Sequence, residues 1–153
     1  VPHLVLYQPD IPQNTGTLLR LSACLGRTVH LIEPAGFPLS DKGLKRAGMD
    51  YLDQAALVRH MSHAHFEAWR LSEGRRLVLL TTRSDLPYTD FTFRTDDLLM
   101  LGRESSGVPE AVHDGADARI TVPMRPETRS LNVAIAGAMV LGEALRQTSA
   151  FPG

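Results

Sequence analysis

The stretch "RRLVLLTTR", Arg75–Arg83, decides the fold. Its apolar centre runs without alternation, bounded by arginines and threonines. A strand with one wet face alternates polar and apolar residues, whereas an unbroken short run fits a strand covered on both faces of a parallel sheet. "DDLLMLG" (96–102) and "ARITVPM" (118–124) read the same way. Upstream, "HLVLYQ" (3–8) and "TVHLIEP" (28–34) are further strands, the second closed by Pro34. Helical patterns fall between and after them: 10–26 in part, "HMSHAHFEAWRLSEG" (60–74), and a long last helix from about Ser130 to Gln147. "SDKGLKRAGM" (40–49) predicts a short basic helix capped by Ser40. This alternation, with short connections, predicts one α/β domain over residues 1–153: a mostly parallel sheet with helices on both faces.

The chain has 153 residues, enough for a proper hydrophobic core. Its net charge of −1 excludes the broad basic field of many nucleic-acid binders. Fourteen arginines stand against two lysines. The guanidinium fork suits phosphate and carboxylate, although arginine-rich codon usage gives the same ratio. Cys24 is the only cysteine, which excludes an internal disulfide and a cysteine-based zinc site; on the first helix it is expected to be buried. The strand pattern starts at His3, so no leader is expected. The longest apolar run, Val133–Leu141, is too short to span a bilayer, and the expected location is cytoplasmic.

In "DIPQNTGTLLRLSACLG" (10–26), Asn14 is a good N-cap and Gly26 a good stop. Leu18, Leu21 and Leu25 form the apolar stripe, widened by Leu19. Arg20 falls outside it, so the core does not explain that residue. In the helix over 60–74, Met61, Phe66, Trp69 and Leu71 are expected to face inward. His60, His63 and His65 are close in sequence, but the third points away from the other two and no convincing fourth ligand is present, so no metal is expected. The last helix has almost no polar side before Glu143 and is expected to be buried nearly all round. Ala134, Ala136, Gly137 and Ala138 would admit another backbone. A homodimer through this helix is the expected arrangement, against the alternative of a central core helix in one subunit.

Common nucleotide motifs are absent. No G-x-G-x-x-G follows the first strand, "GRESSG" (102–107) continues with Val108 and Pro109 instead of a P-loop lysine, and there is no G-x-S-x-G. Three loops remain at the carboxyl ends of strands, where open parallel sheets bind ligands. "QPDIPQNTGTLLR" (8–20), "LMLGRESSGVPE" (99–110) and "VPMRPETRSLNVAIAG" (122–137) supply Asn14, Arg20, Glu104, Arg129, Ser130 and Asn132.

The segments "NTGTLLR", "LGRESSGVPE" and "RSLNVAIAGAMVLGEALR" resemble the three motifs of the SpoU (TrmH-type) ribose 2′-O-methyltransferases, of the SPOUT superfamily. The similarity runs nearly end to end. "LYQPDIPQNTG", "HLIEPAGFPLSDKGLKRAGMDY" and "VPMRPETRSLN" resemble the small branch of that family that acts on tRNA without an added RNA-binding domain. The resemblance implies a SPOUT α/β knot with a trefoil near the carboxyl end, a homodimer, S-adenosylmethionine as methyl donor and no metal. It implies a tRNA anticodon loop as partner, with methylation of the wobble nucleotide, a cytidine or modified uridine. Donor-binding positions would be Leu80, Gly102, Val122, Ser130 and Leu131, with Thr81, Glu104 and Gly107 close by. Catalytic positions would be Arg20, Asn14, Glu104, Ser130 and Asn132. In the family the motif-one arginine is proposed to take the hydroxyl proton. A guanidinium is charged and offers no acceptor, so a phosphate-clamping, oxyanion-steadying role for Arg20 suits it better. Asn14 would position Arg20 or the ribose, or simply cap its helix. Ser130 and Asn132 would be site groups or caps. RNA contacts would come from Arg129, Arg20, and Lys42, Lys45 and Arg46; the last three also fit an ordinary wet helix face. The alternatives are methylation at another tRNA or ribosomal RNA position, and a knotted protein that binds donor and RNA without turnover.

Overall fold

The computed structural model describes residues 1–39 and 56–153. The short helix expected at 40–49, with Lys42, Lys45 and Arg46, lies outside the described residues. Among the described residues the strands are β1 (His3–Tyr7), β2 (Thr28–Ile32), β3 (Ala56–His60), β4 (Leu77–Leu80), β5 (Leu98–Leu101) and β6 (Ala118–Ile120). All their pairings are parallel, in the order β3-β2-β1-β5-β4-β6. The helices are α1 (Pro12–Cys24), α2 (His63–Glu73), α3 (Glu110–Gly115) and α4 (Val133–Gln147).

The alternation of side chains along each strand splits the core into two layers. Leu4, Leu6, Val29, Leu31, Leu99 and Leu101 pack under Leu18 and Leu19 of α1 and Val140 and Leu141 of α4. Val5, Tyr7, Ile32, Leu98 and Met100 face the other way, towards Phe66 of α2 and Val112 of α3. Register keeps the layers aligned, with Leu4 beside Val29 on one side and Leu99 on the other. Each fully buried leucine or valine contributes about 1.5–3 kcal/mol. This is why "RRLVLLTTR" needs no polar alternation: Leu77, Val78 and Leu79 are buried whichever face they point to.

Several local expectations are corrected. The sequence pattern places no strand at Ala56–His60 and starts the next helix at His60, yet His60 ends β3 opposite Ile32. As an edge strand β3 has one wet side, and Val58 is 39% exposed, so its apolar signal is weak. Helix α2 begins after Ser62, whose Oγ accepts from the His65 amide at 3.1 Å. That start leaves Met61 and Leu71 exposed, while Phe66 is buried and Trp69 half-buried.

Helix α1 starts at Pro12, not after Asn14, because a proline in the first turn lacks only a donor that would be orphaned anyway. Asn14 therefore lies inside the first turn and is not the cap. Gly26, at φ 65°, does end the helix. Cys24 is exposed because it continues the wet stripe of Gln13, Thr17 and Arg20. Helix α4 is capped by Asn132, and Ser130 stays outside it. Within the single chain one side of α4 stays open: Ile135 is 56% and Met139 39% exposed, beside a buried face that includes Ala134, Val140 and Leu145. At Gly137 a Cβ would meet Leu101 Cδ1 at 2.7 Å and Leu18 Cδ2 at 3.0 Å, so α4 lies directly on α1 and β5. No helix of the described residues is long and apolar enough to cross a membrane.

The chain runs outward from β1 through β2 to β3, then returns to build β4, β5 and β6 on the other side of β1. The direction of winding reverses between β1 and β5. In open α/β sheets a crevice opens at the carboxyl ends of the strands at such a point.

Candidate active site

A cleft of about 590 Å³ occupies that edge. Leu79, Leu80, Leu101, Val122, Val133 and Ala136 contribute its apolar lining, and Thr81, Ser105, Ser106 and Ser130 add hydroxyls. An apolar bed with a few convergent polar groups is the usual make-up of a small-molecule site. The loops after β1, β5 and β6 all reach it, joined by the end of β4.

Most sequence-predicted positions come together here. The expected donor-binding residues Leu80, Gly102, Val122, Ser130 and Leu131 line the cleft, as do Thr81 and Gly107. So do Asn14, Glu104, Asn132 and Arg129. Arg20 does not line it. It follows Asn14 by six residues, which turns it about 240° around the helix and about 9 Å along it. Arg20 is exposed on the wet stripe of α1.

Asn132 has two duties. Its Oδ1 accepts from the amides of Ala134 and Ile135 at 2.8 and 3.2 Å, capping α4. Its Nδ2 donates to Asn14 Oδ1 at 3.0 Å. The first and last loops are thereby tied at the cleft.

The middle loop is folded tightly on itself. Arg103 and Gly107 exchange backbone hydrogen bonds of 2.9 and 2.8 Å. A Cβ on Gly102 would meet the Gly107 carbonyl carbon at 2.8 Å, so that position has no room for a side chain. Gly107 itself has φ 66°, in the region glycine enters at no steric cost.

Sequence reasoning missed Asp10. Its amide donates to Glu104 Oε2 and its Oδ1 accepts from the Glu104 amide, both at 3.1 Å. Ser105 Oγ donates to Asp10 Oδ2. Hydrogen bonding with the Glu104 carboxyl, then with Ser105, pulls Asp10 down to about 2. Burial, then the neighbouring Asp10, pushes Glu104 up. Asp10 stands inside the quoted loop "QPDIPQNTG". The only signal for it was its place beside two prolines, and nothing local couples it to Glu104.

The histidines do different work from the one their spacing suggests. His60 belongs to β3, with Nε2 3.0 Å from His30 Nδ1, and His3 stacks on His30 at 5.6 Å between ring centres. Burial pulls His3 down to about 4 and His30 to about 3. His63 and His65 ride on α2, and none of these rings lines the cleft. Among the described residues, Glu110, His113 and Asp114 do bring ligand atoms within 4.8 Å of one another, also away from the cleft. Glu110 is held there by Arg83 at 2.8 Å.

Residues 2–142 match the SpoU rRNA Methylase family. A tRNA (cytidine(34)-2′-O)-methyltransferase of Beijerinckia indica subsp. indica is 68% identical over 147 residues, 96% of this chain and 92% of that one. The protein of the same description from Escherichia coli strain K12 is 39% identical over 153 residues, covering 99% and 96%. A solved structure described as giving insights into the 2-OH methylation of C/U34 on tRNA has a TM-score of 0.88 at 43% identity, covering 95% of both chains. The SpoU methyltransferase AviRb of Streptomyces viridochromogenes, in complex with AdoMet, has a TM-score of 0.84 at 26% identity, covering 95% of this chain and 59% of that one.

Proposed function

The chain belongs to the SpoU methylase family, and from that premise we propose that it transfers a methyl group from S-adenosylmethionine to the ribose 2′-hydroxyl of wobble nucleotide 34 in tRNA. The observation that carries this reading is the convergence of the three motif loops on one cleft, with Asn14 bonded to Asn132 and Glu104 between them along the chain.

The residues present fit the methyl donor. Leu80, Leu101 and Val122 offer apolar surface to a flat base, the loops bring backbone groups close, and Ser130 and Thr81 bring hydroxyls to its polar parts. When bound, the donor supplies a methyl already activated on a sulfonium. What is left to the chain is to align the ribose oxygen and help its proton leave. Asn14 and Asn132 form a fixed pair of amides against which the sugar is set. Glu104 is the acidic group on the cleft wall that faces the positive donor. Arg129, exposed at the mouth, takes an RNA phosphate. Lys42, Lys45 and Arg46 are the further basic residues assigned to contact with the anticodon stem.

The working unit is a homodimer through α4. Leu131, Ile135 and Met139 recur every four residues and are 39%, 56% and 39% exposed, a stripe that a second copy would cover. Arg20 lies outside its own cleft, so it serves the reaction from the neighbouring subunit, clamping the phosphate beside the target ribose. The trefoil knot implied by the family would lie in the segment between β6 and α4. With tRNA as substrate, the enzyme works in the cytoplasm.

Labelled S-adenosylmethionine and tRNA lacking ribose methylation at the wobble position test the reading. Mass spectrometry of digests should place the new methyl on the ribose of nucleotide 34. Methylation elsewhere in tRNA, or of ribosomal RNA, would move the enzyme to another substrate of its family. Donor binding without transfer would make it a binding protein.

A further inference from the structure

The three charged residues that line the cleft, among those described, are Arg103, Glu104 and Arg129. Glu104 is the acid among them, and it is anchored by a residue outside all three motifs. Asp10 meets it through both backbone and side chain, in a reciprocal pair of 3.1 Å bonds across 94 positions of sequence. The second oxygen of Asp10 accepts from Ser105, the next residue of the same loop. Arg103 Nε stands 4.0 Å from that oxygen, too far for a hydrogen bond but close enough to favour a negative charge. From behind, Gly36 presses on Asp10: a Cβ there would meet Asp10 Cβ at 2.7 Å, and the Gly36 amide donates to the Pro9 carbonyl at 2.8 Å. Gln8, two residues earlier, holds a left-handed φ of 41° to turn the chain out of β1. A non-glycine residue in that region is strained and persists where surrounding structure demands it. The side chain of Asp10 is 18% exposed, so its charge is set mainly by these neighbours and less by water.

Each carboxyl is held at the other residue's amide, and carboxyl groups that are neighbours cannot both ionise freely. We propose that Asp10 is a positioning residue for the methyl transfer: it locks the Gly102–Gly107 loop and shares one proton with Glu104 beside the reacting ribose. This rests on the reading of the cleft as a ribose methylation site. The groups set against the pair are Arg103 and Ser105 of the Gly102–Gly107 loop; Arg129, from the segment before α4, and the neutral amide of Asn14, from α1, line the same cleft. Asp10 is not among the residues that line the cleft, so it acts through Glu104.

Asp10→Asn is the decisive variant. It keeps an oxygen for the Glu104 amide, so the loop stays tied, but removes the charge that opposes ionisation of Glu104. In protein carrying carbon-13 at the glutamate carboxyl, the Glu104 resonance should titrate above the ordinary range in the parent and move to lower pH in Asp10→Asn. In methyl transfer, kcat should fall about tenfold or more while donor affinity by calorimetry stays within about threefold. The pH limb that belongs to Glu104 should move down with the resonance. Asp10→Ala, which also unties the loop, should lose donor affinity as well. An unmoved Glu104 resonance in Asp10→Asn overturns the proposal, as does an unchanged kcat and pH profile. A parent protein that transfers nothing to tRNA would defeat the functional reading instead, and the carboxyl titration would still decide whether the pair shares its proton.

Discussion

Asn132 donates from Nδ2 to Oδ1 of Asn14 at 3.0 Å while its own Oδ1 caps α4, so one amide joins residues 118 positions apart and also starts a helix. The two duties can be separated. Asn132→Ser retains a capping oxygen but is too short to reach Asn14, whereas Asn132→Ala loses both and costs about 1 kcal/mol of stability. Both variants should lose about tenfold or more in methyl transfer, and urea unfolding should show a loss for alanine alone. A serine variant with parental activity would reduce the bond to a structural tie.

Arg20→Ala should abolish turnover and leave donor affinity unchanged, because Arg20 is off the donor cleft of its own subunit. Mixing Arg20→Ala with Glu104→Ala subunits then provides a sharp check. If Arg20 serves the neighbouring cleft, randomly paired subunits recover about one quarter of parental activity, since half the dimers carry one intact composite site. Recovery near zero would return Arg20 to its own subunit.

Ile135→Glu places a charge in the middle of the exposed stripe of α4. Sedimentation velocity should show a monomer where the parent sediments as a dimer. Turnover should fall with dissociation, by the same dependence on a second copy. An Ile135→Glu dimer as tight as the parent would put the interface elsewhere.

Gly102→Ala should destabilise the middle loop, because the added carbon would sit 2.8 Å from the Gly107 backbone and no flexible side chain can yield. Overpacking of this kind costs about 1–3 kcal/mol. Calorimetry should show donor affinity reduced by about tenfold or more. Gly137→Ala is the contrast: its neighbours are the tips of Leu101 and Leu18, which can rotate, so stability should fall with little change in donor affinity.

Acid should weaken the fold before it reaches the carboxylates. His3 and His30 are held neutral in the native state, at about 4 and about 3, against 6.5 in the unfolded chain. Between those values the unfolded chain binds more protons, so stability is full above pH 6.5 and declines as pH falls towards 4 and 3. The slope is about 1.4 kcal/mol per pH unit for each such histidine as an upper figure, because partial opening lets water relieve it. Urea unfolding at a series of pH values between neutral and mildly acidic should show the decline, and His30→Gln should flatten it. An equal slope in that variant would assign the effect elsewhere.

How much of this was legible in the sequence depended on how local the physics was. Unbroken apolar runs at Leu77–Leu80 and Leu98–Leu101, bounded by polar residues and too short for a buried helix, announce strands of a covered parallel sheet. The loops at the carboxyl edge followed from that sheet, and most of their marked residues do line one cleft. Edge strand β3 was not legible, because Val58 and Arg59 face water and blur the pattern. Nor was the start of α1: Asn14 has the chemistry of a cap, but Pro12 begins the helix first and leaves the amide for Asn132. Asp10 was hidden because its partner lies 94 residues away, and no local pattern encodes a reciprocal bond at that distance.

The tie between Asn14 and Asn132 also constrains when the protein becomes competent. A site closed by groups from opposite ends of a chain cannot form on a partial chain during synthesis. Contacts of such separation make for slow folding, since a long loop must close before any gain is felt. Nascent chains ending before Asn132 should therefore emerge with the parallel sheet begun but with no competent catalytic centre, and remain prey to proteases until the last helix leaves the ribosome.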